Sequence, residues 1–311
     1  MARITILGGT VAGMAAAARL AKQRHEVTLV ADPDALVADA DPPAATDMLF
    51  PAPWRDLFRK SGRTMDAELT RHGLRLVPAP ARRLGTERWE LPHERGAQFT
   101  AIADRYDTHT AERWRDLLDG LDDVWQIRRR LGMEFSFDAA THRRRRAALW
   151  SDRSVADLAA GLPADLADLV RSTASEAPER SPAVDAVWLT VERTFGRWQL
   201  VDSADRVRPI GQLVEVLAGR VEQRRVTVTP DLPDTVDAVV DARRRTPRGP
   251  WYRRPTERTK QWWRRGPRRY VAGQDTPAGT GTVGELLSAA LATYAVHLDL
   301  TGTDIHPSVK K

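Results

Sequence analysis

The sequence predicts an α/β fold: a parallel sheet assembled from both ends of the chain, with a large helical insertion between them. Two observations carry this. Short apolar, β-branched runs cluster near the termini, at residues 3–7, 25–30, 225–229, 236–242 and 268–273. From about residue 46 to 204, by contrast, apolar residues recur mainly at helical spacing.

In chain order, RITIL (residues 3–7) reads as a strand ended by Gly8 and Gly9. The alanine-rich stretch 12–20 favours helix and permits close packing on a sheet. HEVTLV (25–30) is a second strand, ended by the turn formers of ADPD. Strand, glycine turn, helix and strand within thirty residues make a βαβ unit. Residues 52–62 place Trp54, Leu57 and Phe58 on one helical face, with Gly62 as C-cap. Residues 108–132 carry a stripe of Trp114, Leu117, Leu118, Leu121, Val124, Trp125 and Leu131, ending in Arg128–Arg130. The stretch 154–174 opens on a Ser-x-x-Asp cap and breaks at Gly161 and Pro163, and 181–198 has Pro182 in its first turn. A helix over 210–223, strands over 225–229, 236–242 and 268–273, and a helix over 282–300 complete the chain. This division predicts a sheet domain from residues 1–45 and 205–311, and a helical domain from 46–204.

Composition excludes several classes. With 311 residues and 42% hydrophobic content, the chain can bury a sizeable core. No apolar run approaches the roughly 20 residues that cross a bilayer. Gly8, Gly9 and Gly13 interrupt the N-terminal apolar stretch, so it does not read as a signal peptide, and the expected location is cytoplasmic. Without cysteine there are no disulfides, thiolate metal sites or thiol nucleophiles. The seven histidines show no metal-ligand spacing, and neither a GxSxG elbow nor a P-loop occurs. Of 48 basic residues only five are lysine, so arginine runs point less strongly to nucleic acid than in an average composition. The charge is nevertheless local. Residues 243–269 hold twelve basic residues against Glu257, which leaves the rest of the chain at about −5.

Three stretches carry a resemblance: ILGGTVAGMAAAARLAKQRHEVTLVA, VRPIGQLVEVLAGR (207–220) and RRYVAGQDTPAGTGTVGELLSAALATYA (268–295). Together they resemble the flavin-dependent amine oxidase and phytoene desaturase superfamily, whose dinucleotide-binding domain is a Rossmann-like sheet of the glutathione-reductase type. The resemblance implies FAD, with NAD(P) as the lesser option. It places the cofactor on Gly8, Gly9, Thr10, Val11, Ala12, Gly13 and Asp32 at one end, and on Gly273, Asp275, Gly281, Thr282 and Val283 at the other. In such a motif the first glycine makes the turn, the second admits the pyrophosphate to the backbone, and the third packs helix on strand. Gly8 and Gly13 match the first and third, whereas Thr10 stands at the second. Ala31 occupies the acidic position, with Asp32 one residue along, and Gln274 follows Gly273 where the family has aspartate. The family's β-meander and much of its substrate domain have no counterpart.

Two expectations follow. The first is an FAD-dependent oxidoreductase with a reduced substrate domain, taking a small apolar substrate between the flavin and Trp114, Trp125, Trp188 and Trp198. No catalytic acid–base pair is nominated, because flavin chemistry needs none. The second is a non-catalytic scaffold that meets an anionic partner through residues 243–269, whose arginines are interleaved with Trp251, Tyr252, Trp262 and Trp263. Such a segment could track phosphates, lie on an acidic membrane surface, or connect two strands as a solvated loop.

Overall fold

Five parallel strands form the central sheet: β1 (Arg3–Leu7), β2 (Glu26–Val30), β9 (Thr227–Thr229), β10 (Ala238–Asp241) and β11 (Arg268–Val271). This computed structural model describes residues 1–130, 143–246, 251, 254, 267–279 and 281–307. The spatial order is β11-β10-β1-β2-β9, with Ile4 opposite both Val27 and Ala238. In chain order this is the 3-2-1-4-5 arrangement of doubly wound sheets, which reverses direction between β1 and β10. Ile4, Thr5 and Ile6 are all buried, so the central strand is covered on both faces, as a parallel sheet requires.

The helix α1 (Val11–Lys22) follows β1, and its alanines 15–18 are fully buried. It packs against the C-terminal helix α11 (Gly281–Thr301), against α10 (Gln212–Gln223) and against α3 (Ala52–Ser61). The expected cap at Gly62 is present. A side chain there would collide with Arg220, whose Nη1 lies 1.5 Å from where a Cβ would stand.

The middle of the chain differs from the helical expectation. Strands β3 (Asp47–Met48), β4 (Leu74–Pro78), β7 (Trp198–Asp202) and β8 (Val207–Arg208) form an antiparallel sheet, and β5 (Arg82–Leu84) pairs with β6 (Trp89–Leu91) as a hairpin. These strands are two to five residues long, and β4 alternates only between half-buried and exposed positions, so no strong period marks them. The expected helices are present as α6 (Thr108–Arg130), α7 (Val155–Ala159), α8 (Ala164–Arg171) and α9 (Val187–Phe195). The expected 181–198 helix, however, opens as a 3-10 turn and its last residue, Trp198, belongs to β7, while α5 (Arg95–Arg105) was not expected. Ser154 and Asp157 form the reciprocal capping box, and α7 and α8 are separated at Gly161. Residues 131–132 of the expected long helix lie outside the described residues.

Two apolar cores result. One surrounds the parallel sheet and extends to Met48, Trp54, Phe58, Met65 and Leu200; the other is built from α6 to α9 with Trp114, Trp125 and Trp251. Within the first, Arg220 on α10 donates to Glu68 on α4 (Met65–Arg71) at 2.6 Å, and both side chains are sealed from solvent. Gln223 Nε2 and the Arg63 guanidinium also approach that carboxylate. Elsewhere in that core, His25 before β2 and His297 on α11 face each other with ring nitrogens 3.0 Å apart. Burial, reinforced by His297 and the N-terminal amine, pushes His25 down to about 4.

Glu68→Gln leaves the Arg220 guanidinium buried without its counter-charge and should cost about 3–5 kcal/mol in urea unfolding. Glu68→Leu combined with Arg220→Met should recover most of that loss. The histidine pair predicts a pH effect. As pH falls below about 6.5, the unfolded chain protonates His25 while the folded chain refuses the proton until about pH 4. Stability should therefore fall across that window by about 3 kcal/mol from this group. The slope should flatten in His25→Gln, measured by urea midpoints at successive pH values.

Candidate functional site

In an open parallel sheet the ligand crevice lies beyond the carboxyl ends of the strands, where their order reverses. Here that point lies between Gly8, after β1, and Ala242, after β10. Gly8 adopts φ +103° and turns the chain into α1. A Cβ on Gly13 would stand 2.1 Å from the Gly8 carbonyl oxygen, so this glycine lets the helix close on the turn as the motif requires.

Thr10 does something different from the glycine it replaces. Its hydroxyl donates to the Ala242 carbonyl at 2.7 Å and accepts from the Gly13 amide at 3.1 Å. It thereby caps α1 and joins the two strand ends that flank the crevice. Gly9, Thr10, Val11, Ala12 and Gly13 are all buried. A Cβ on Gly9 would meet the Leu36 side chain at 3.0 Å, and one on Gly8 would meet the Arg243 backbone at 2.8 Å. Over the crevice mouth, Arg243 pairs with Asp241 at 2.8 Å and Arg244 with Asp41 at 2.5 Å, while Arg245 also reaches Asp241. Burial alone would raise the Asp241 carboxyl, but Arg243 and Arg245 hold it below the usual range.

The adenosine end is equally altered. Asp32 is exposed, and its carboxylate accepts the Asp34 amide of its own turn at 3.0 Å. A pyrophosphate at this turn would compete with Thr10 for the Gly13 amide, beside glycines whose faces already lie close to Leu36 and the Arg243 backbone. The residues present do not fit a dinucleotide held in the way the resemblance implies.

The C-terminal turn is more open. Gly273, at φ +136°, donates its amide to Ser288 Oγ, and Gly284 sits against the Gly279 carbonyl as Gly13 sits against Gly8. Gly281 is exposed, and Thr282 and Val283 are half-buried at the start of α11. Asp275 lies in the turn, its carboxyl raised by burial against the pull of Arg245 and Arg254. Sequence reading missed Glu285, which is 4% exposed near the start of α11. Burial pushes it up to about 7, opposed by Arg244 and a hydrogen bond with Gln274. Its only sequence signal was an acid early in a largely apolar helix.

Beside the crevice lies a cavity of about 740 Å³ between the helical insertion and the loops that leave β10 and β11. Trp251, Arg254, Ala278 and Gly279 line it from the sheet side, and Arg128, Asp185 and Trp188 from the insertion. The four tryptophans expected around a substrate do not converge. Only Trp188 lines this cavity; Trp114 bonds Gln98 in the core, Trp125 is buried there, and Trp198 lies on β7 under Arg55. Most of the basic segment, including Tyr252, Trp262 and Trp263, lies outside the described residues. Among the described residues no group of metal-ligating side chains gathers, and no helix is long and apolar enough to cross a membrane.

Thr10→Val keeps the shape of the side chain but strands the Gly13 amide and the Ala242 carbonyl, so it should destabilise the fold by about 1–3 kcal/mol. Thr10→Ser should remain near the native stability in the same urea titration. Equal midpoints for the valine variant and the native chain would contradict the role given to the hydroxyl. Comparison with models of known protein families and with curated proteins found no match, so the family resemblance rests on the motif residues themselves.

Proposed function

We propose that this chain works by binding, on a dinucleotide-type α/β scaffold, rather than by flavin chemistry. The observation that carries this reading is the Thr10 hydroxyl, which consumes the Gly13 amide and ties Ala242 across the switch point. A helix N-terminus attracts phosphate because its amides are unpaired. Here one of those amides is paired internally, and the space above the turn belongs to Leu36 and the Arg243 backbone. The cavity beside the crevice then becomes the ligand site. Its volume falls within the range of about 300–1,000 Å³ usual for small-molecule pockets. Four of its lining residues, Trp251, Arg254, Ala278 and Gly279, follow β10 and β11, on the side where α/β proteins bind their ligands. Trp251 and Arg254 belong to the basic segment and form one wall, which gives that part of the segment an inward-facing role.

A second reading, an FAD-dependent oxidoreductase of the amine oxidase or phytoene desaturase type, is favoured by one feature. The C-terminal glycine turn keeps Gly273, Gly279 and Gly284 and leaves the start of α11 partly open. The two readings separate in one experiment: an absorption spectrum of the purified chain, followed by titration with FAD, NADH and NADPH. The binding reading predicts a colourless protein with no saturable uptake of any of the three. A stoichiometric flavin spectrum would overturn it in favour of the oxidoreductase.

A further inference from the structure

A groove of about 430 Å³ follows the β5–β6 hairpin. It is lined by consecutive residues of one strand and its approach, Pro80, Ala81, Arg82, Arg83 and Leu84, and completed by Arg88 and Arg197. The groove shares no residue with the large cavity and differs from it in charge. The cavity mixes guanidiniums with carboxylates along its lining, whereas every ionisable side chain lining the groove is an arginine. The carboxylates that bond these arginines do not line the groove. Arg82 Nε and Nη2 grip Glu192 on α9 at 2.7 Å, and Arg197, 8% exposed, donates to Asp47 on β3 and to the Pro80 carbonyl. These two guanidiniums are fixed in place. The other two are not. Arg83 reaches Glu90 across the hairpin at 3.2 Å with both side chains more than half exposed, a pair worth little in water. Arg88 is exposed in the hairpin turn at φ +53°, and its side chain has no acidic partner among the described residues.

The backbone along the groove adds a second recognition element. β5 pairs with β6 on one side, and among the described residues no strand lies against its other edge. An open edge presents amides and carbonyls to a further strand. The arginines decide which strand can take that place. They repel a basic one and give a neutral one no charge to pair with, whereas carboxylates brought alongside would form charge-assisted bonds. The pleat adds a pattern. Arg83 is exposed and Leu84, its neighbour, is buried, so the two point to opposite faces of β5. A strand added beside them meets charge on one face and an apolar surface on the other.

We infer that this groove binds an extended acidic segment of a partner protein, added as a third strand to the free edge of β5. Its carboxylates face Arg83 and Arg88, and its alternate, apolar side chains face Leu84. This surface is separate from the cavity read above as the small-molecule site, and neither assignment depends on the other.

The test is fluorescence anisotropy of the full chain with a labelled, end-blocked hexapeptide that alternates glutamate and valine. It should bind saturably, and the same peptide with glutamine for glutamate should bind about tenfold more weakly or not at all. Two further versions, N-methylated at the glutamates or at the valines, keep the charge and remove the amides of one edge. One of the two should lose about tenfold in affinity, because alternate amides of a strand face the same neighbour. Arg83→Gln and Arg88→Gln, both at exposed positions that leave the buried pairs intact, should each weaken the glutamate peptide about threefold or more. Arg143→Gln, at an exposed arginine outside the groove, should leave it unchanged. Absence of saturable binding, equal affinity of both N-methylated peptides and the parent, or an equal loss in Arg143→Gln would each overturn the inference. Displacement of the peptide by inorganic phosphate or by an oligothymidylate at the peptide's own concentration would overturn it too, in favour of a small-anion site or a nucleic-acid surface.

Discussion

One hydroxyl group, that of Thr10, holds the place where the sheet reverses direction. It spans 232 positions of sequence, from the first turn after β1 to the carbonyl that follows β10. In a doubly wound sheet this is the one position where two adjacent strands send their connections to opposite sides and leave a gap. Dinucleotide proteins keep the gap open for phosphate. Here the Thr10 hydroxyl bridges the two strand ends. The Arg243 backbone runs close to Gly8, and Arg243, Arg244 and Arg245 fold down onto Asp241 and Asp41. Three cations that sequence reading assigned to a basic, partner-seeking segment thus already share two acids of the same chain, Asp241 and Asp41.

The parallel sheet was legible because each strand is an apolar run bounded by turn residues, and because glycine turns precede α1 and α11. The antiparallel strands were not. Residues 74–78 and 198–202 pair with each other across more than a hundred positions, and neither alternates strongly enough to announce a strand. The turn motif could be located from its glycines, but the new use of Thr10 could not, because a threonine can fill a phosphate site, donate to it, or cap the helix. Only the position of Ala242 decides. The cavity was less legible still. Arg128, Asp185, Trp188, Arg254 and Gly279 come from five separate parts of the chain, and no local pattern links them. The buried pairs, His25 with His297 and Arg220 with Glu68, share that property: each partner alone reads as an ordinary surface residue.

Burial shifts titratable groups on both sides of the parallel sheet in consistent directions. Glu285 and Asp275 are raised and His25 is lowered, each toward its neutral form. Asp241 goes the other way because two arginines outweigh its burial. Charge is thus retained where it joins segments and suppressed inside the sheet core. The cavity stands apart, with guanidiniums and carboxylates interspersed along its lining. An arginine-rich composition makes such an arrangement easy to build, since guanidinium stays protonated at depths where lysine would lose its charge.

The pairing of β1 with β10 also sets a timetable for the chain at the ribosome. Register between Ile4 and Ala238 cannot form until the segment near residue 240 has left the exit tunnel. At about 5–20 residues per second, the first βαβ unit waits many seconds with one edge of its leading strand unpaired. The helical insertion has its own apolar core and can condense in that interval, which shortens the loop that must then be closed. A polypeptide released early would present an apolar, open-edged strand to its surroundings, the form most readily recognised by chaperones and proteases. Joining residues 4–7 to 238–241 in one sheet therefore makes synthesis of the later strand the condition for a finished core.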